Sequence, residues 1–399
     1  MKLGVFLEQN LNVGGGFQQA YSVLKLLQKK PLKNIKCIFF VFTRENEKIL
    51  RDEGINAVYI GFSILRLLHR IKAKFFRVVF GLLLPFQGHI DKLLDQYEID
   101  LVYFLTPSPY AMGLKQHNYI VTVWDQCHRD WMEFPEVYAD FEFELREFFY
   151  RQTLFKAVAV LVDSAISKQK LHERYGVDLE RIQIAPFFPS KDEDTREQEA
   201  KTDIDVCKKY SISLPFLFYP AQLWTHKNHI YILDALALLR HNGLKIAAVF
   251  VGNDFGNKFF LAEQTRAMGL IDQVYFLGFI PRQELIAFYK KALALVMPTY
   301  FGPTNIPPLE AFSLKCPVCY PNLPGLREQV ADGAFLMDLD DPKSLCNIVK
   351  TLLFDKNKVE QKLAAGVKQL ELYSEENYLN ILCRLFNTYS QLLRCRRRI

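Results

Sequence analysis

Lys227 and Glu310 are the two residues of this 399-residue chain whose setting best suits anion and hydroxyl binding. Glu310 closes the segment Phe301-Gly302-Pro303-Thr304-Asn305-Ile306-Pro307-Pro308-Leu309-Glu310. The apolar run 292–297 before it reads as a buried strand, and 311–314 can start a helix. The paired prolines Pro307 and Pro308 predict a stiff loop with no helix before Leu309. Glu310 is thereby expected at a strand-to-helix junction. In open α/β sheets ligands bind there, and helix N-terminal amides favour anions. The bland reading is a stiff turn whose Glu complements a helix dipole. Lys227 lies in Tyr219-Pro220-Ala221-Gln222-Leu223-Trp224-Thr225-His226-Lys227-Asn228-His229, after another apolar run. Its ammonium is a point charge for phosphate, and Asn228 is a helix-cap candidate.

Two further segments carry polar groups at strand ends. Asn12-Val13-Gly14-Gly15-Gly16-Phe17-Gln18 follows the first apolar run and precedes a helical pattern at 18–29. Glycines let a backbone approach a phosphate closely. The spacing is not G-x-G-x-x-G, and no acidic residue stands in the ribose position, which disfavours a dinucleotide site. Thr122-Val123-Trp124-Asp125-Gln126-Cys127-His128-Arg129-Asp130 places Asp125 and His128 on a polar loop, where they could hydrogen-bond substrate hydroxyls. It shows neither a metal-ligand spacing nor a Ser/His/Asp order.

These residues must be held by sheets. Strands are expected at 2–8, 36–42, 57–60, 101–105, 119–123, 158–162 and 182–185. A second series is expected at 216–220, 247–251, 274–277, 293–297, 317–320 and 334–337. Alternation with helical patterns argues for two parallel sheets of βαβ units. The segment 190–201 has no large apolar side chain and reads as a linker. The predicted organisation is a first domain at 1–190, a linker at 191–203, a second domain at 204–372, and a C-terminal helix with a basic tail at 373–399.

Half the residues are hydrophobic and 24% are charged, enough for cores without disulfides or metals. The eight cysteines are scattered, which suits a reducing compartment, and Cys316-Pro317-Val318-Cys319 is expected to pack in a core. A net charge of +6 without a basic stripe argues against nucleic acid. No stretch approaches ~20 uncharged apolar residues, so no transmembrane helix is expected. The N-terminus enters a strand at once and lacks a signal-peptide layout, which predicts a cytoplasmic protein. Ile64, Leu67, Leu68, Ile71, Phe75 and Val78 share one helical face, and Arg66, Arg70, Lys74 and Arg77 the other. That pattern fits a core-packed helix or one lying on anionic lipid.

In order and spacing, Gln222 to Asn228, Phe276-Leu277-Gly278-Phe279-Ile280, Ile306 to Phe312 and Cys316-Pro317-Val318 resemble glycosyltransferase family 4. The Gly-rich loop, Trp124-Asp125 and Asp163-Ser164-Ala165-Ile166-Ser167-Lys168 extend the resemblance into the first half. It implies the GT-B fold: two Rossmann-like domains facing across a cleft, with a C-terminal helix returning towards the first. It also implies retaining transfer of a hexose from a nucleotide-diphosphate sugar to a glycan or lipid-linked acceptor, without a metal or other cofactor, as in bacterial surface polysaccharide assembly. Carried over by position, Glu310 would bind ribose, Lys227 the diphosphate, and Phe279 and Ile280 the base. Gly15 and Gly16 would approach the phosphates, while Gln222, Asn228, Thr304, Asn305 and Ile306 would complete the donor site. Asp125 and His128 would position the acceptor. Three positions depart from the family pattern: Gly302 replaces a Glu, Gln222 an Arg, and Trp124 the His of a His-Asp pair. A non-catalytic sugar-nucleotide binder and a sugar-nucleotide epimerase are the alternatives.

Overall fold

The computed structural model describes residues 1–9, 11, 16–61, 89–189, 204–302 and 304–395. Gly15, the amphipathic segment 64–84, the expected linker 191–203 and the tail at 396–398 lie outside them. The chain divides into two compact units, Met1–Pro186 with Glu375–Ile399, and Phe187–Ser374.

The first unit is built on β1 (Lys2–Leu7), β2 (Lys36–Val41), β3 (Ala57–Tyr59), β4 (Leu101–Phe104), β5 (Tyr119–Thr122), β6 (Ala159–Val162) and β7 (Ile182–Ile184). They form a parallel sheet in the order β3-β2-β1-β4-β5-β6-β7. The second holds β8 (Phe216–Pro220), β9 (Ala247–Val251), β10 (Val274–Gly278), β11 (Ala294–Val296), β12 (Val318–Pro321) and β13 (Ala334–Met337). Its order is β10-β9-β8-β11-β12-β13, again parallel. Every residue of β4, β5, β6 and β9 is buried. A parallel sheet is covered on both faces, so its strands read as unbroken apolar runs. Such runs are unambiguous, and no strand end departs from the sequence expectation by more than one residue.

Both sheets reverse direction once, between β1 and β4 and between β8 and β11. Loops leaving the two strands of such a pair diverge and open a crevice at their carboxyl ends. In the second unit the helix Arg282–Lys291 backs this region: Phe288 stacks on Phe218 at 5.3 Å, and Tyr289 meets Phe218 edge-on at 5.1 Å. Each such ring contributes about 2 kcal/mol through burial. The terminal helix Glu375–Leu393 packs in the first unit, with Tyr378, Leu382, Phe386 and Tyr389 on one buried face. The Tyr378 hydroxyl lies 2.8 Å from that of Tyr103, and Tyr389 donates to Asn118 Oδ1 at 2.9 Å.

Ser164 caps the helix Ala165–Tyr175, accepting from the Ser167 amide at 3.2 Å, so the Asp163–Lys168 segment acts as a helix start. Cys316 and Cys319 are buried free thiols, and burial pushes Cys316 up to about 12. Among the described residues no helix is long and apolar enough to cross a membrane, and no His/Cys/Asp/Glu cluster could hold a metal.

Candidate functional site

The loop after β8 is pinned to the loop after β9. Gln222 Oε1 accepts from the Asn253 amide at 2.5 Å, and the Leu223 amide donates to the Asn253 carbonyl at 3.0 Å. Gly252 makes this possible: a Cβ there would lie 2.2 Å from the Ala221 carbonyl oxygen. Trp224 stacks on Phe255 at 4.2 Å, extending the seam. Gln222, at the position where the resemblance expects an Arg, thus spends its side-chain oxygen inside the protein.

The same loop is also knitted to the one after β11, across the switch point. The Tyr300 amide donates to the His226 carbonyl at 3.0 Å, and the His226 ring stacks on Phe301 at 3.8 Å. Lys227 closes the turn Thr225–Lys227 with its Nζ 3.5 Å from Oγ1 of buried Thr299. The turn therefore holds the ammonium over the start of the Thr299–Asn305 segment. Asn228 begins the helix His229–His241 in the left-handed region, φ 55°, but its side chain makes no capping bond. Its conformational tolerance, rather than the expected cap, is what the turn uses. His229 is fully buried, and burial, with Lys227 and His226 nearby, pushes it down to about 3.

Glu310 lies on the helix Ile306–Ser313. The prolines do not delay this helix to Leu309, as the sequence suggested: Pro307 and Pro308 fall in the first turn, where amides have no intrahelical acceptor. Glu310 is buried and held from the neighbouring helix. Its Oε1 accepts from Arg282 Nη1 at 2.5 Å and its Oε2 from the Tyr289 hydroxyl at 3.0 Å. A carboxylate has about four acceptor sites, so each oxygen keeps one for a ligand hydroxyl.

Thr304 and Asn305 are buried beside it. Asn305 Nδ2 donates to the Gly302 carbonyl and the Tyr320 hydroxyl, both at 2.6 Å. Its amide donates to Gln329 Oε1 at 3.0 Å, and Gln329 Nε2 returns a bond to its carbonyl at 2.6 Å. The Asn305 amide expected to face a diphosphate is therefore committed within the protein. Gly302 has φ 107°, and a Cβ there would sit 2.8 Å from Asn305 Oδ1. The chain has a glycine here because both backbone and neighbour exclude a side chain. Beyond β10, Phe279 is 82% exposed while Ile280 is buried.

In the first unit, the loop after β5 closes on itself. Asp125 Oδ1 accepts from the Cys127 amide and Arg146 Nη1, each at 3.0 Å. Burial opposes its ionisation, but the Arg146 guanidinium and the Cys127 amide outweigh it and hold the carboxyl below its usual value. His128 is fully buried, its Nε2 3.0 Å from Glu147 Oε1 and 3.2 Å from the Tyr175 hydroxyl. Burial lowers its pKa despite Glu147, giving a neutral ring with the proton on Nε2. Glu147 is also gripped by Arg129 through two bonds of 2.6 Å. Burial pushes its pKa up, but Arg129, Tyr175 and His128 reverse that to about 2. His128, expected to touch an acceptor, is instead a sealed strut: no face of its ring is open to a substrate.

The structure thus brings Lys227, Thr299, Asn305 and Glu310 to one sheet edge and separates His128 from any surface. Sequence reasoning missed Arg282, Tyr289 and Thr299. Arg282 and Tyr289 are seven apart, the spacing of one helical face, and that signal could have paired them.

Residues 209–369 match the family model described as glycosyl transferases group 1. The O-antigen chain mannosyltransferase RfbU of Salmonella typhimurium is 25% identical over 206 residues, 51% of this chain and 54% of that one. O-antigen chain mannosyltransferase B of Escherichia coli is 25% identical over 231 residues, 57% and 59% of the two chains. The matched part spans a little over half the length of these curated relatives. Anabaena Alr3699/HepE, solved in complex with UDP, superposes with a TM-score of 0.69 at 18% identity, covering 98% of this chain and 100% of that one. Residues 209–369, with the Lys227 turn and the Glu310 helix inside them, are thus similar to the glycosyl transferases group 1 family, on a chain whose two parallel-sheet units have the GT-B fold.

Proposed function

We propose that the chain is a glycosyltransferase moving a hexose from a nucleotide-diphosphate sugar to a glycan or lipid-linked acceptor in O-antigen-type polysaccharide assembly. The observation that carries this is the Lys227–Glu310 edge: a cation on the turn after β8 and a half-used carboxylate on the helix after the adjacent strand β11, at the switch point and within the family-matched segment. Lys227 would stabilise the leaving diphosphate, and Glu310 would hold the ribose hydroxyls. Transfer would proceed with retention and without a metal, through positioning and charge stabilisation. The names of the curated relatives favour a mannosyl donor, and the UDP complex of the structural neighbour keeps a uridine donor open. Asp125 would orient the acceptor through its second oxygen.

The test is donor hydrolysis and transfer in wild type, Lys227→Ala and Glu310→Ala, after a thermal-shift screen of UDP-, GDP- and dTDP-sugars, since a ligand of the native state raises its melting temperature. Unchanged turnover and donor affinity in both variants would sink the assignment. A second reading, donor binding without turnover, is favoured by the uncharged Gln222 turned onto Asn253. Donor affinity with no hydrolysis across a broad acceptor panel would select it.

A further inference from the structure

The first unit holds a carboxyl group that the transferase reading leaves unused. Glu8 directly follows β1, so it stands at the carboxyl edge of that strand, beside the switch point with β4. The chain just beyond it is clamped by Asn46, buried on the helix Arg44–Asp52. Asn46 Nδ2 donates to the Gln9 carbonyl at 2.6 Å, and its Oδ1 accepts from the Leu11 amide at 3.1 Å. Across the switch point, buried Ser108 caps the turn Pro109–Gly113. Its Oγ accepts from the Tyr110 amide at 3.1 Å, which leaves the hydroxyl proton for the Glu8 carboxyl. The Tyr110 ring is held by stacking on Phe42 at 4.2 Å.

We propose that Glu8 and Ser108 form a hydroxyl-binding subsite for an uncharged saccharide at the carboxyl edge of β1 and β4. Glu8 Oε1 is sealed from solvent and has no hydrogen-bond partner among the described residues. A buried polar atom left unpaired costs about 1–3 kcal/mol, which a ligand hydroxyl would recover. Among the described residues the groups that act on the carboxyl are the Ser108 hydroxyl and the Tyr110 phenol, neither of them a cation. Burial pushes Glu8 up to about 8, opposed by Ser108, so at neutral pH it is mainly the neutral acid. That form offers one O–H donor together with acceptor capacity, the same pair that a sugar hydroxyl presents in return. An ammonium or a metal ion would find no anion here. Identifying the saccharide as the acceptor rests on the transferase reading; the subsite itself does not.

The experiment uses the full chain as wild type, Glu8→Gln and Glu8→Leu. The Glu8 carboxyl is followed by carbon NMR, its signal assigned by its loss in Glu8→Gln. The expected result is titration near 8 and a shift on adding neutral oligosaccharides. In transfer assays, Glu8→Leu raises the acceptor KM about 10-fold, the equivalent of one lost hydrogen bond, with donor hydrolysis unchanged. Glu8→Gln, which keeps a donor and an acceptor, stays near wild type. Wild-type acceptor KM climbs as pH passes the Glu8 titration, and Glu8→Gln loses that rise. Titration in the ordinary glutamate range, no saccharide-induced shift, or a Glu8→Gln variant as damaged as Glu8→Leu would overturn the subsite. If wild type hydrolyses no donor, the transferase reading fails alone, and the NMR titration and saccharide shift still decide Glu8. They decide it equally if Glu8→Leu does not fold.

Discussion

The Glu310 corner of the second unit and the Glu147 corner of the first are assembled from the same parts. Each sets a carboxylate against a guanidinium and a tyrosine hydroxyl: Arg282 and Tyr289 in one, Arg129 and Tyr175 in the other. They differ in how full the carboxylate is. Glu147 accepts two bonds from Arg129 and further bonds from His128, Tyr175 and Arg151, which exhausts its acceptor sites. Glu310 accepts one bond on each oxygen and stands across a strand junction from Lys227. Saturation makes a strut, and vacancy leaves acceptor capacity for a ligand. Residue types alone do not separate the two; the number of donors per oxygen does.

The comparison breaks most visibly if Glu147 is not a strut. Glu147→Ala strands the partly buried Arg129 and the fully buried His128, and is expected to lower the stability of the first unit by about 3 kcal/mol, seen in urea unfolding. Its folded pKa, about 2, lies below the unfolded value of 4.5. The stabilisation is therefore complete above 4.5 and fades as pH falls towards 2. The gap in melting temperature between wild type and Glu147→Gln should shrink from pH 6 to pH 3. A gap independent of pH would remove the ionised Glu147 from the account.

Lys227→Ala should act in the opposite way, cutting donor turnover by about 100-fold, as loss of one charge-stabilising donor does, while melting stays near wild type. A smaller change on the same side of the comparison comes from Arg282. Without it Glu310 Oε1 loses its internal partner, and Arg282→Ala should raise donor KM about 10-fold with kcat little altered. Arg282→Lys should recover only part of this, because a point charge replaces a planar fork. Equal losses in kcat and in stability would instead place Arg282 with the struts.

The sheets were legible because burial on both faces leaves unbroken apolar runs, and β8, β9 and β13 were readable to the residue. The Lys227 turn and the existence of a helix at Glu310 were legible because each is the next element after such a run; the start of that helix was not, because Pro307 and Pro308 enter its first turn. The loop Asp125–Asp130 misled because a loop rich in charge looks solvated in sequence. The partners that seal it, Glu147, Arg174 and Lys170, come from helices 17–44 residues further on. The Asn305 network escaped notice for the same reason: Tyr320 and Gln329 reach it only once β12 and the helix after it are folded. Side-chain closure is a tertiary property, and local spacing carries little of it.

Gly302 gives the smallest effect and the sharpest edge to the comparison. At φ 107° only glycine is unstrained, and a Cβ would press on Asn305 Oδ1 at 2.8 Å. Gly302→Ala should therefore cost about 1 kcal/mol, the usual penalty for a side chain in the left-handed half of the map. The same step should loosen the bonds from Asn305 to the Gly302 carbonyl and Tyr320. Gly302→Glu restores the carboxylate that the family pattern carries eight residues before Glu310. If the segment is shaped around the absence of a side chain, that variant loses donor hydrolysis along with stability. A gain in hydrolysis would mean that the backbone relaxes to admit the new carboxylate. The commitment of Asn305 to Gln329 and Tyr320 would then be a resting arrangement of a site that a sugar contact can reopen.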